Sequence, residues 1–289
     1  MAQLDTVQVA QATRRRRSMS QSGGKPAGGD TGSKWGRTIL TAAASAGSII
    51  VLLIVWEAFS RSGLINQWLL PPFSRVIVYL ADQIWNKDYL YNIALTTYRM
   101  LAGYGIAVII GVPLGILMAR RAGVRWFFDP LVSIGFPAPK IAFLPVFILW
   151  FGLYDTSKIL MIAFNAIFPI IAATWAGAAQ VEKQLVWSAR SLGATDREVL
   201  NQIILPAAMP QIMTGLQIAL PISMIVALVT EFMMGGNGLG GKMMMAQRFA
   251  DSTGVFAGIV AIGIFGFFLL RVMEAIRRHV LRWHHEVEA

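Results

Sequence analysis

The sequence predicts an all-α integral membrane protein, a polytopic bundle of six helices with both termini in the cytoplasm. Composition sets the class: of 289 residues, 56% are hydrophobic and only 14% charged, whereas a soluble domain carries about a quarter charged residues. So few charges could not cover a soluble surface of this size. Uncharged runs of spanning length set the architecture, since a transmembrane helix needs about 20 apolar residues. The runs are hydrophobic all round and lack the alternation of barrel strands, so they read as helices.

Chemistry is bounded by what the chain lacks. There is no cysteine, and the three histidines all lie in the last eleven residues. Disulfides, thiolate metal sites, a cysteine nucleophile and an internal imidazole base are therefore excluded. No paired-carboxylate helix, H-E-x-x-H or G-x-S-x-G pattern occurs either, so no enzyme active site, metal site or resident cofactor is expected.

Residues 1–37 are rich in Ser, Gly, Gln and Arg, include Arg14 to Arg17, and have no hydrophobic period. They read as a disordered basic tail. Six spans follow, at about 38–59, 98–119, 129–151, 158–179, 211–234 and 253–275. The third is interrupted by Pro137, Pro139, Lys140 and Pro145. The fifth is begun after Pro210, because proline removes a helix hydrogen bond and clashes with the preceding turn. With the N-terminus inside, inside segments hold seventeen lysines and arginines and outside segments six. This is the positive-inside asymmetry. The net charge of +10 thus records membrane topology and calls for lipid, not nucleic acid, as a partner.

Between the first two spans, Phe73, Val76, Ile77, Leu80 and Ile84 recur at helical spacing, with Arg75 and Asp82 off that face. The pattern fits an amphipathic helix at the outer interface or an ordinary packing helix. Gly111 and Gly115 form a G-x-x-x-G in the second span, suited to close packing inside the subunit. Gly236, Gly238 and Gly241 with Lys242 nearly match nucleotide-binding patterns. Met243 stands where the magnesium hydroxyl is needed, and the topology puts the loop outside, so a flexible turn is expected.

The longest inside loop, within 180–210, carries the clearest functional signal. Val186 to Leu192 reads as a short helix broken by an αL glycine, Gly193. Thr195 and Glu198 form a capping box for a second helix expected to stop at Pro206. Two short helices about a glycine elbow make a knob fit to dock a cytoplasmic partner. Three charges inside the spans need partners or a role: Arg99, able to snorkel to the interface; Lys140, in an ion pair or touching substrate; and Glu231, paired with a base.

The loop resembles the "EAA" loop of binding-protein-dependent ABC importer permeases, E-A-A-x3-G-x9-I-x-L-P. Gly193, Ile203, Leu205 and Pro206 match in register, and Trp187, Ser188 and Ala189 occupy the E-A-A positions, so the acidic residue is absent. Thr97 to Tyr104, Pro139 to Gly152, and Glu231 before Gly238-Leu-Gly240 are similar to the nitrate/sulfonate/taurine branch. The resemblance covers about residues 38–285.

It implies a type I importer fold in a bacterial inner membrane, with two permease copies forming the pathway. ATPase subunits carrying ATP and magnesium would dock on the loop at Trp187, Ser188, Ala189, Arg190, Gly193, Ala194, Ile203, Leu205 and Pro206. An external binding protein would deliver a small anion such as nitrate, a sulfonate or taurine. Arg99, Lys140 and Glu231 are the candidate pathway residues. An ion-coupled secondary transporter and a non-transport scaffold are the alternatives.

Overall fold

The computed structural model describes residues 47–283. The basic tail and the start of the first expected span lie outside them. The chain divides after Val55. In the first unit, residues 47–55 are helical, and Ile49, Leu52 and Ile54 expose their apolar side chains.

The second unit, Trp56–Ala289, is helical with no strand among the described residues. Its helices are α1 (Phe73–Ile84), α2 (Lys87–Arg120), α3 (Ala122–Gly135), α4 (Leu144–Phe151), α5 (Asp155–Ala179), α6 (Lys183–Ser191), α7 (Asp196–Met234), α8 (Leu239–Arg248) and α9 (Ser252–Val280). Four of them, α2, α5, α7 and α9, are long and apolar enough to cross a membrane.

Two helices begin well before the expected spans. α2 starts at Lys87, with Asn86 accepting from the Asp88 N–H as N-cap. Its first turns carry too many polar residues to register as membrane helix. α7 runs without a stop through Pro206, Pro210 and Pro221, which corrects the expected end at Pro206 and restart after Pro210. Residues Val199–Ile204 form a π-helical segment. Pro206 stands where this π segment passes into the α segment. The expected span 129–151 is not straight: α3 and the stretch Lys140–Phe151 meet at 97°, because Pro137 and Pro139 cannot continue α3.

Small residues hold α2, α5 and α7 together. A Cβ at Gly111 would lie 2.9 Å from Ile170 Cγ2, and one at Gly115 would lie 2.7 Å from Thr174 Cβ. The G-x-x-x-G thus packs within the chain, as expected. On α7, a Cβ at Gly215 would fall 2.6 Å from Ala173 Cβ. Met100, Met161, Ile162, Leu220 and Ala227 fill the core between these helices. Gly115→Leu should lower stability by about 1–3 kcal/mol through overpacking. Thermal unfolding of the purified chain in detergent checks this, and an unchanged midpoint would contradict the packing described.

Helix α1 is amphipathic as read. Val76 and Leu80 are buried, in a cluster with Tyr89, Leu239 and Ala257, while Ile77 and Ile84 remain exposed.

Candidate functional site

Two sites stand along α2, one at Arg99 and one at its C-terminal Arg120, about 30 Å apart along the helix. The first is the knob between α5 and α7. Helix α6 ends in a Schellman motif: the Ala194 N–H donates to Ala189 O at 3.0 Å and the Gly193 N–H to Arg190 O at 3.0 Å. Gly193 has φ +88°. The capping box then starts α7, with the Thr195 N–H donating to Glu198 Oε2 at 2.8 Å and the Glu198 N–H to Thr195 Oγ1 at 3.3 Å. Asp196 accepts from Arg190 at 2.8 Å and lies 3.7 Å from Arg120 of α2.

These contacts fix which face the knob presents. Val186, Ala189 and Ala194 pack inward against Val199, Ile204 and Ala208. Ile203, Leu205 and Pro206 are half-buried. Outward stand Leu185, Ser188 and Arg190, with Trp187 at 63% and Leu192 at 89% exposure. The tryptophan in the acidic position of the E-A-A pattern therefore lies on the open face, and Ala189 supplies the inward contact.

The second site is a buried charge cluster joining α2, α5, α7 and the turn before α8. Glu231 is fully buried. It accepts from Arg99 Nη1 at 2.7 Å, from Thr96 Oγ1 at 2.8 Å and from the Gly240 N–H at 3.1 Å. Arg99 also donates to Asp155 Oδ1 through Nη2 at 2.6 Å and Nε at 3.0 Å, and to Asn237 O at 2.7 Å. Lys158 donates to Gly235 O at 3.3 Å. The Gly238 N–H donates to Asn92 Oδ1, and the Leu239 N–H to Thr96 Oγ1 at 2.9 Å.

The glycine run is thus a turn, as expected, with positive φ at Gly235, Gly236 and Gly238. It is also the backbone half of this cluster. Arg99 is 4% exposed, so it does not snorkel. It pairs with Glu231, which does have the basic partner expected of it.

Lys140 is brought to neither site. Its ammonium donates to Gly135 O and Phe136 O, both at 2.9 Å, and lies 5.1 Å from the Phe168 ring centroid. It caps the last carbonyls of α3 at the break, where a cation is favoured. The ion pair expected for it is replaced by backbone carbonyls. Sequence reading missed Asp155, Lys158, Asn92 and Thr96. The one available signal was the i, i+4, i+7 spacing of Asn92, Thr96 and Arg99 on one helix face, hidden by starting the helix at residue 98.

The knob holds Trp187 and Leu192 exposed among polar side chains, and the buried cluster ties together three long apolar helices. No group of three metal-ligating side chains occurs among the described residues. Four helices of spanning length and composition define a helical membrane protein.

A family profile described as "Binding-protein-dependent transport system inner membrane component" matches residues 111–282. The chain belongs to this family of ABC importer permeases and is a multi-pass inner-membrane protein. It is 33% identical over 249 residues to the taurine transport system permease protein TauC of Escherichia coli (strain K12), covering 84% of this chain and 90% of that one. It is 29% identical over 238 residues to the putative aliphatic sulfonates transport permease protein SsuC of Bacillus subtilis (strain 168), covering 82% and 86%. Its fold is similar to a chain of the inward-facing MetNI methionine ABC transporter, with a TM-score of 0.57 at 18% identity, covering 69% and 98%.

Proposed function

We propose that this chain forms the translocation pathway of an ATP-driven importer for a small organic anion of the sulfonate or taurine kind. In this reading the knob at 182–206 faces the cytoplasm and receives ATPase subunits, which hold the ATP and magnesium. A second copy of the chain completes the pathway, and an external binding protein brings the substrate. The observation that carries the reading is the exposed Trp187 and Leu192 on a loop whose backbone is fixed by the Schellman motif and capping box. A loop that merely returned the chain to the membrane would have no use for a fixed backbone that holds Trp187 and Leu192 out from the bundle. The anion class is supported by the relatives named for taurine and aliphatic sulfonates.

Two ATPase subunits need two knobs, and a closed two-fold pair is the simplest way to supply them. Native mass measurement of the intact complex should therefore find two copies of this chain with two ATPase copies. One copy beside a different permease would overturn the pairing. A chain that takes up substrate with no ATPase, driven by a proton or sodium gradient, would overturn the whole reading.

A further inference from the structure

Helix α9 carries the least buried of the four spanning-length windows, with only 11% of its apolar window covered. From Ser252 to Leu270 it holds no charged residue, a length of about 28 Å at 1.5 Å per residue, close to the hydrocarbon thickness of a bilayer. Arg271 is therefore the first charge at the boundary, and its guanidinium lies 5.1 Å from the ring centroid of Phe267, one turn back toward the apolar segment. Beyond it an open groove of about 470 Å³ is lined by Arg271, Glu274, Ala275, Arg278, His279 and Arg282.

The charge in this groove is one-sided. Glu274, its one acid, is taken by Arg278, whereas Arg271 and Arg282 are exposed and enter no ion pair among the described residues. Cations are favoured in the last turn of any helix, which accounts for Arg278 and His279 but not for Arg271, more than two turns earlier, or for Arg282, past the helix end. The positive-inside bias accounts for the number of cations and not for their alignment. Positions 264, 267, 268, 271, 275, 278 and 282 recur in steps of three and four and so share one face. On that face Ile264, Phe267 and Phe268 are exposed, at 58%, 62% and 61%, and lead straight into the arginines. An apolar surface running into an unpaired cationic groove at the depth of the headgroups has the polarity of a phospholipid. A second copy meeting this face across a two-fold axis would set arginine against arginine, so the face is not suited to pairing with itself.

We infer that this groove seats the phosphate headgroup of an anionic membrane phospholipid. Arg271 and Arg282 supply the free guanidinium donors, Arg278 adds charge at the rim, and the acyl chains lie over Ile264, Phe267 and Phe268.

The test uses the assembled transporter in detergent, with phosphatidylglycerol and phosphatidylcholine offered in equal amounts and retention read by native mass measurement. The parent should retain phosphatidylglycerol in preference. Arg271→Gln should lower that retention about fivefold, and Arg271→Gln with Arg282→Gln about twentyfold or more. Both side chains are exposed, so assembly should be unchanged. Arg121→Gln, which removes one exposed charge just past the end of α2 and outside the groove, should leave retention within twofold of the parent. Calorimetry with glycerol 3-phosphate, which carries the phosphate without acyl chains, should show no binding to the groove at millimolar concentration. The inference is overturned if the parent shows no preference, if Arg121→Gln lowers retention as much as Arg271→Gln, or if the double variant retains lipid like the parent. It is also overturned if glycerol 3-phosphate binds and phosphatidylglycerol is not retained, which would make the ligand a soluble phosphate. Loss of a protein subunit from the double variant in place of lipid would make the face a protein contact and overturn it equally. Retention requires neither ATP nor uptake, so failure here leaves the importer reading standing.

Discussion

Arg99→Met is expected to destabilise the protein by about 3–5 kcal/mol, the usual result of removing one partner from a buried ion pair. Glu231 would be left fully buried, with its carboxylate held by Thr96 and the Gly240 N–H but without the guanidinium 2.7 Å away. Asp155 would lose the same guanidinium, at a smaller cost because its side chain is 46% exposed. The loss should spread to the Gly235–Leu239 turn, since Arg99 also holds Asn237 O. Adding Glu231→Leu to Arg99→Met removes the stranded charge and should recover at least half of the loss. Thermal unfolding of the purified chain in detergent decides the matter. A structural clamp predicts this loss and its partial recovery. A substrate-contacting role for Arg99 predicts instead an undiminished midpoint with an altered KM for uptake, and that result would contradict the clamp.

The second large effect is expected at Gly193. No heavy atom lies within 4 Å of where its Cβ would stand, so a side chain there would meet no clash. The difficulty is conformational, because φ is +88° and a β-branched residue resists the left-handed region. Gly193→Val should cost the native elbow about 1–2 kcal/mol, which corresponds to roughly a tenfold loss of the docking-competent form. ATPase assembly and uptake should fall together by about that factor, with membrane insertion unchanged because no span is altered. Gly193→Asn, which tolerates the left-handed region, should behave close to the parent. Reconstitution with the partner subunits, measuring assembly and uptake side by side, checks both variants. Equal behaviour of the Val and Asn variants would show that the elbow's conformation is not what the partner recognises.

These two sites were legible in the sequence to different degrees, for a physical reason. The knob is built from local rules. An αL glycine ends one helix and a Thr-x-x-Glu box starts the next, and both act within a few residues of themselves, so Gly193, Thr195 and Glu198 could be placed without a structure. The packing of Gly111 and Gly115 was legible in the same way, because a small-residue stripe has one common use in a membrane helix. The charge cluster is tertiary. Glu231 meets Arg99 across 132 residues of chain, and no spacing rule reaches that far. Its other members were concealed by a boundary: the polar first turns of α2 hid Asn92 and Thr96. Pro206 misled because the helix continues through it, as it does through Pro210 and Pro221, where the interior rule expects a stop. Lys140 misled through the expectation that a buried cation seeks a carboxylate, when the carbonyls at a helix break serve it as well.

The central claim is that the 182–206 knob docks on the ATPase, and the absence of cysteine from the chain makes a direct measurement simple. Leu192→Cys, at a position 89% exposed, gives the chain a single thiol at the tip of the knob. Leu153→Cys, at a position 64% exposed on the α4–α5 corner, gives one expected on the opposite side of the membrane. A short thiol cross-linker applied to the assembled transporter should join Leu192→Cys to the ATPase, more weakly when Gly193→Val is added, and should leave Leu153→Cys unlinked. An assembly that transports while Leu192→Cys stays unlinked, or in which Leu153→Cys is the one joined to the ATPase, would contradict the account.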